Sequence, residues 1–288
     1  EQFVSQPPMR DNVAWLLAKV EERADRTAES IVPKLIELLE SGSEDARDGA
    51  ARVVGLLGSH ALDAVPALLH SAKGLTDQAF FDRAVKIPHE SSVLPALIAA
   101  MQSDDATVRN MACYAIGNVA LNLKVTPIAE IQLAVPALRE RLLNDIDWMV
   151  RREAAGALRR LLELDGVSEA LVEALQDTDS RVRFVAAGIL IGKTAAAEQA
   201  LPVLVELVES PEDLSLRFSA AYALAEVPAG KATALPVLLD IARREEPAWR
   251  GIAASALARF FPSSPETKEA IDLLCDQIKD KTLPPNVR

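Results

Sequence analysis

The stretch AVPALRERLLNDIDWMVRREAAGALRRLLEL, residues 134–164, decides the fold of this chain. Apolar residues recur at helical spacing on both sides of the turn that contains Asp145 and Asp147, which predicts two amphipathic helices, the first opened by Pro136. The same succession of a proline-led helix, an aspartate turn, a Val-Arg pair and an Ala-Ala run recurs along most of the sequence. Self-similarity at a period of roughly 30–40 residues indicates a solenoid of stacked helical pairs.

The spacing between the proline that opens the first helix of a pair and the arginine that begins the second helix is nearly constant. It is fourteen residues in three pairs and fifteen in two, and in a sixth pair Glu169 takes the place of the proline fourteen residues before Arg183. Agreement over six pairs predicts a repeat array. The proline–arginine pairs are Pro33 and Arg47, Pro95 and Arg109, Pro136 and Arg151, Pro202 and Arg217, and Pro236 and Arg250.

This pattern divides the chain into segments. We predict a flexible N-terminal segment at 1–11, one continuous solenoid at 12–280 and a tail at 281–288. The solenoid is expected to consist of a capping helix at 12–29, about seven helical-pair repeats at 31–261 and a C-terminal helix at 265–280. A repeat array of this length is stable because each repeat is supported by its neighbours.

Composition agrees with an all-helical fold. Hydrophobic residues make up 50% of the chain and aromatic residues only 4%, so the apolar content is mainly alanine, leucine and valine, which suits close-packed helices better than sheets. The net charge of −11 repels phosphate backbones and argues against a nucleic-acid partner. No run of about 18 apolar residues occurs, so we expect no membrane span. The expected compartment is the cytoplasm.

A Val-Arg dipeptide at the start of the second helix carries a resemblance to a known repeat. It occurs as Val108-Arg109, Val150-Arg151 and Val182-Arg183, with the variants Leu216-Arg217 and Trp249-Arg250. Over about residues 31–280 the chain resembles HEAT-repeat proteins of the bacterial kind, which implies a right-handed α–α superhelix. The resemblance also implies a ladder of hydrogen bonds between repeats, made by turn aspartates and second-helix arginines. The ladder residues are Asp105, Arg109, Asp147, Arg151, Asp179, Arg183, Asp213, Arg217 and Arg250.

The second repeat departs from the pattern. Phe80 and Phe81 stand where the arginine belongs, and Pro88 shortens the second helix because proline cannot continue a helix. Residues 74–92 are therefore predicted to open most easily, since the stability of a repeat protein is a sum of local and neighbouring terms.

The sequence carries no motif for catalysis or metal binding. His60, His70 and His89 form no HExxH pair, and no GxSxG, Walker or GxGxxG motif occurs. We therefore predict no catalytic residues, no metal site and no cofactor.

The second helices of the pairs carry the candidate binding residues, because in a HEAT stack they line the concave groove. If the valine of the Val-Arg pair is buried with the residues four, five, seven and eight positions later, the residues two, three and six positions later face the groove. Apolar side chains at those positions mark an interaction surface; alternatively, they fill gaps between repeats. The predicted groove residues are Met111, Tyr114, Phe184, Phe218, Tyr222 and Ile252.

Arginines cluster in the fourth repeat. Interleaved glutamates, including Glu153, can pair with them along a helix, which would make a charged but inert surface. The alternative is an anion site formed by Arg152, Arg159 and Arg160.

These features favour a non-enzymatic scaffold that binds a protein or peptide partner in its concave groove. One alternative is an enzyme subunit of the bilin-lyase type, because bilin lyases use similar HEAT-like repeats. Some DNA glycosylases do so too, but they need a basic groove, which the net charge of −11 opposes. Another alternative is a structural subunit of a larger complex. Neither the identity of the partner nor the oligomeric state follows from the sequence.

Overall fold

The computed structural model describes residues 25–72, 91–121, 128–192, 196–209, 213–244 and 247–279, and every regular element within these ranges is helical. The predicted all-α repeat fold is thereby confirmed. The chain forms two compact units, Glu1–Val167 and Ser168–Arg288. None of the helices in the described ranges has the length and apolar character needed to cross a bilayer.

The first unit contains eight described α-helices, and four short 3-10 turns flank some of them. The second helices of the third and fourth repeats, α5 and α8, pack directly against each other, and α7 packs against α8. The α-helices are α1 (Asp25–Ser41), α2 (Glu44–Leu57), α3 (Val65–His70), α4 (Leu94–Ala100), α5 (Ala106–Leu121), α6 (Ile128–Ile131), α7 (Val135–Asn144) and α8 (Trp148–Leu158). The 3-10 turns are Gly58–Ala64, Ser91–Val93, Gln132–Ala134 and Arg159–Leu161.

The second unit is also built from helices that pack against their neighbours in the chain. Helix α9 (Val167–Ala174) begins at the boundary between the units. The helices that follow are α10 (Ser180–Leu190), α11 (Ala197–Glu209), α12 (Leu214–Glu226), α13 (Lys231–Arg244), α14 (Pro247–Phe260) and α15 (Pro265–Lys279), with a 3-10 turn at Pro228–Gly230. Each helix from α10 to α15 packs against the next, and the second helices α10, α12 and α14 also pack in order against one another.

Proline takes two positions in the first helices of the pairs. In α3, α4 and α7 it lies in the first turn, where its missing N–H costs nothing because those N–H groups have no partner within the helix. In α1, α11 and α13 the helix begins earlier, so that Pro33, Pro202 and Pro236 lie inside it. The prediction that proline opens every first helix is wrong for these three, because each has alanine before the proline, and alanine favours helix.

Burial along the second helices follows the predicted register. In α8, Val150 is buried together with Ala154, Ala155 and Leu158, which follow it by four, five and eight positions. The same positions are buried in α10, where Val182 begins the series. One row of these small and branched side chains therefore forms the core between helices.

Some predicted segments lie outside the described residues. These are the N-terminal segment 1–11, residues 12–24 of the predicted capping helix, almost all of the weak segment 74–92, and the tail 281–288. The remaining residues of the capping helix, 25–29, belong to α1.

Candidate functional site

The turn aspartates of the predicted ladder cap the second helices. Each accepts a hydrogen bond from a backbone N–H two or three residues later, which satisfies a donor of the first turn and places a negative charge at the positive end of the helix dipole. The donors are Thr107 for Asp105 (2.9 Å), Met149 for Asp147 (2.8 Å), Arg181 for Asp179 (2.9 Å) and Leu216 for Asp213 (3.0 Å).

The second-helix arginines hold their helix to the end of the helix before it. Each donates to a main-chain carbonyl oxygen in the preceding turn or in the last turn of the first helix, where carbonyl groups have no partner within the helix. The acceptors are Gly42 for Arg47 (3.1 Å), Ser103 for Arg109 (2.9 Å), Asp145 for Arg151 (2.9 Å), Asp177 for Arg183 (3.0 Å), Val208 for Arg217 (3.0 Å) and Ala242 for Arg250 (3.0 Å).

Three of these arginines also reach a carboxylate of the next repeat. These pairs link successive repeats through carboxylates other than those that the resemblance assigned to the ladder. Two of them, Glu206 and Asp240, lie four residues after the proline of the next first helix. The pairs are Arg109 with Asp145 (2.7 Å), Arg183 with Glu206 (3.2 Å) and Arg217 with Asp240 (3.1 Å).

The Arg109–Asp145 pair is the most deeply buried of the three. Both Nε and Nη2 of Arg109 donate to the Asp145 carboxylate, at 2.7 and 2.8 Å, and Arg141 Nη1 adds a third bond at 3.1 Å. The side chain of Asp145 is 0% exposed and that of Arg109 is 8% exposed. Burial alone would raise the pKa of Asp145, but the hydrogen bonds from Arg109 and from the Asp147 N–H outweigh it and hold the pKa below its ordinary value.

The predicted groove residues divide between exposed and buried positions. Met111 is fully buried in α5, so its assignment to the groove is wrong; its long, unbranched side chain can turn back into the gap between helices. Tyr114 and Phe184 are half-buried, the first in α5 of the first unit and the second in α10 of the second unit. Ile252 is 46% exposed in α14.

The other two predicted groove residues belong to a group of rings in the second unit, which we call the aromatic cluster: Phe218, Tyr222, Trp249 and Phe260. The ring of Phe218 lies 6.0 Å from Tyr222 and 5.8 Å from Trp249, and Tyr222 meets Phe260 edge-on at 4.8 Å. The cluster thus joins α12 to α14. All four side chains are half-buried, so the rings both pack between repeats and present area to solvent.

A cation extends the aromatic cluster. The guanidinium of Arg259, an exposed residue, lies 5.7 Å from the centre of the Tyr222 ring and 5.2 Å from that of Phe260. Cations over ring faces are attracted by the ring quadrupole. The sequence prediction missed Arg259, Trp249 and Phe260. Two signals could have found the rings: Trp249 takes the valine position of the Val-Arg pair, and Phe260 is the last residue of α14.

The three arginines of the predicted anion site lie at opposite ends of α8. Arg152 is in its first half, where the guanidinium stacks on the Trp148 ring at 5.3 Å. Arg159 and Arg160 are exposed in the turn that follows the helix. Seven residues of helix separate Arg152 from Arg159 by about 10 Å, and this distance does not favour one shared anion site.

Within the described ranges, no group of three or more histidine, cysteine, aspartate or glutamate side chains could hold a metal ion. Cys113 is buried, with its sulfur 3.7 Å from that of Met101, and burial raises the pKa of its thiol far above the ordinary value. A thiol in such surroundings stays protonated and is a poor nucleophile.

The described architecture agrees with one repeat family. The family model for HEAT repeats matches residues 83–159 and 135–225. The chain is a HEAT-repeat protein. No curated protein matches its sequence.

Solved structures show the same fold. Kap121p bound to Pho4p is similar with a TM-score of 0.64 and 17% identity, over 98% of this chain and 35% of Kap121p. Kap121p bound to RanGTP gives a TM-score of 0.61 and 14% identity, over 97% and 35% of the two chains. This HEAT protein therefore spans about a third of Kap121p. The CpcE–CpcF complex of phycocyanin lyase from Nostoc sp. PCC7120 has a TM-score of 0.39 and 19% identity, over 94% and 90%, which is too distant to support a lyase assignment.

A glutamate on α8 of this HEAT protein should reduce its stability. Burial raises the pKa of Glu153, and Arg152, 3.9 Å away, offsets this only in part. We expect Glu153→Gln to stabilise the protein at pH 7 by about 1 kcal/mol, as charge optimisation commonly does. Because the folded protein holds the Glu153 proton more tightly than the unfolded chain, the wild type gains stability as the pH falls through the folded pKa, and the advantage of the variant should shrink.

Denaturant unfolding at a series of pH values measures this effect. Glu163→Gln, at an exposed position in the same repeat, is the matched control and should change stability little at any pH. Equal stability of Glu153→Gln and wild type at pH 7 would contradict the prediction.

Proposed function

We propose that this HEAT-repeat protein is a non-enzymatic scaffold that binds a protein or peptide partner on the second helices of its second unit. The observation that carries the proposal is the aromatic cluster on α12 and α14, with Arg259 over two of its rings. Half-exposed aromatic side chains are favoured interface anchors because they bury a large area while fixing few torsions.

The surroundings of the cluster indicate the chemistry of the partner. Ile252 on α14 adds an exposed apolar side chain, and Phe184 on α10 adds a half-buried ring on the neighbouring second helix. Arg259 supplies a positive charge beside these apolar groups. The surface therefore fits a segment that carries apolar side chains next to an acidic one.

The fold supports a binding role in a general way. Kap121p, which has this fold, is found in complexes with the proteins Pho4p and RanGTP. Consecutive second helices present an extended surface of the kind that repeat proteins use for partners. The cluster gives that surface a localised group of anchors.

Two substitutions at the edge of the cluster test the proposal. After affinity capture and mass spectrometry identify a partner, titration calorimetry with the purified pair should show at least about tenfold weaker binding for Ile252→Asp and for Arg259→Glu, equivalent to about 1.4 kcal/mol each. Both residues are exposed, so the melting temperature should stay within a few degrees of wild type.

The matched control is Ile146→Asp, which places the same charge at a residue that is 92% exposed in the first unit. It should leave the affinity unchanged. If all three variants bind the partner as wild type does, the aromatic cluster is not the binding surface.

A further inference from the structure

We propose that two copies of this chain bind each other through helix α15, with the two helices side by side and antiparallel. Helix α15 packs against α13 and α14 and is the last helix in the part of the chain that the structure describes. Its inner side is closed, because Thr267 and Ala270 are buried. The proposed contact is made by its outer side and uses none of the residues of the aromatic cluster, so it does not depend on the proposed function.

The outer side of α15 carries a row of three side chains with little polarity, which we call the terminal stripe: Ile271, Cys275 and Ile278. Ile271 is 44% exposed and Ile278 is 60% exposed, and Cys275 is exposed as well. Spacings of four and three residues place all three on one face of the helix, which is the pattern of helices that pack side by side. Each helix from α10 to α14 packs against the helix that follows it. The terminal stripe is therefore a face that one further helix would cover.

The charges beside the terminal stripe favour a second copy of α15 as that further helix. Asp272 and Lys279 lie seven residues apart, so they stand two turns apart along the same edge of the stripe. If two copies meet antiparallel about a two-fold axis level with residues 275 and 276, Asp272 of each copy faces Lys279 of the other. The symmetric contact then contains two oppositely charged pairs. In a parallel arrangement, each charge would lie level with the same charge of the other copy.

The apolar side chains fit the same arrangement. An axis at this level places Ile278 of one copy between Ile271 and Cys275 of the other, and the two Cys275 side chains lie next to the axis. The present neighbour of Lys279 is no obstacle, because its contact with Asp276 is 3.8 Å long and the two side chains are 76% and 78% exposed. A helix of 15 residues is about 22 Å long, so the contact is small and the dimer should dissociate in the micromolar range.

Sedimentation equilibrium of the full chain under reducing conditions measures the association. We expect a reversible equilibrium between monomer and dimer at micromolar concentrations. Ile271→Asp should raise the dissociation constant at least about tenfold, because it places a carboxylate of each copy in the apolar contact. Ile146→Asp puts the same charge on a side chain that is 92% exposed in the first unit, and it should leave the equilibrium unchanged.

Exchanging the two charges tests the orientation of the helices. Asp272→Lys alone and Lys279→Asp alone should each weaken the dimer, because like charges then face each other across the axis. The double variant again contains two oppositely charged pairs, so its dissociation constant should return to within about threefold of wild type. Both positions are exposed, and the variants should therefore fold as wild type does.

Cross-linking through Cys275 reports the contact directly. With a short bismaleimide, the thiol of each copy adds across one maleimide double bond, sulfur to one carbon and hydrogen to the other, so no oxidant is needed. A covalent dimer should form with wild type, much less of it with Ile271→Asp, and none with Cys275→Ser. Cys113 does not interfere, since it is buried.

Three results would overturn the proposal. One is a chain that stays monomeric at every concentration while Cys275 reacts freely with a maleimide. Another is a monomer whose Cys275 is protected from the maleimide, which would mean that residues 280–288 cover the terminal stripe. The third is a dimer whose affinity is unchanged in Ile271→Asp or does not recover in the double charge variant.

Discussion

Replacing Asp145 by alanine is expected to lower the free energy of unfolding by about 3–5 kcal/mol, the range found when one member of a buried ion pair is removed. The carboxylate accepts hydrogen bonds from Arg109, from Arg141 and from the Asp147 N–H. Without it, the guanidinium of Arg109, whose side chain is only 8% exposed, loses its carboxylate, and Arg141 loses one of its acidic partners. Denaturant unfolding measures the loss.

A less buried pair of the ladder gives the comparison. Asp240 pairs with Arg217 through side chains that are 29% and 23% exposed, where water screens the attraction. Asp240→Ala should therefore cost only about 1 kcal/mol or less. If the two alanine variants lose equal stability, burial does not decide the strength of the ladder.

The Asp145 pair also predicts a pH dependence. Its pKa in the folded protein is lowered, so its contribution is fully present above the unfolded-state value of about 3.9 and is lost as the pH falls through the lower folded value. Wild type should therefore lose more stability on acidification below about pH 4 than Asp145→Asn, which has no such proton to take up. Parallel acid titrations of the two proteins, followed by circular dichroism, would show the difference.

Substituting Gly230 by alanine is expected to destabilise the second unit by about 3 kcal/mol, at the upper end of the overpacking range. Gly230 is buried in the 3-10 turn between α12 and α13. An added Cβ would press against the carbonyl oxygen of Leu224 and lie 2.8 Å from its Cα. These are main-chain atoms of α12, which cannot rotate away as a side chain can. Thermal unfolding should show a melting temperature several degrees lower.

At Gly188 the same substitution, glycine to alanine, is expected to raise the stability of the protein. It lies exposed within α10, and an added Cβ would meet no atom within 4 Å. Gly188→Ala should stabilise the protein by about 0.5–1 kcal/mol, because alanine loses less backbone freedom in a helix. A loss for Gly188→Ala, or no loss for Gly230→Ala, would contradict the packing described here.

Much of the fold could be predicted from the sequence, because each repeat carries the same pattern of residues and therefore forms the same local structure. The proline–arginine spacing predicted the helical pairs, and the position of valine in each Val-Arg pair predicted which residues of α8 and α10 are buried. These features depend on helical periodicity alone, which links residues four and five positions apart. Capping by the turn aspartates is local in the same way, since Asp147 needs only the N–H of Met149.

The tertiary structure decided the contacts that join separate helices. The sequence register placed Met111 at a groove position, yet it is buried, because burial of a long side chain depends on the space that the neighbouring helix leaves. The acidic partners of Arg183 and Arg217, and the Phe260 ring that meets Tyr222, come from the next repeat, more than twenty residues away. Periodicity within one helix carries no information about such distances.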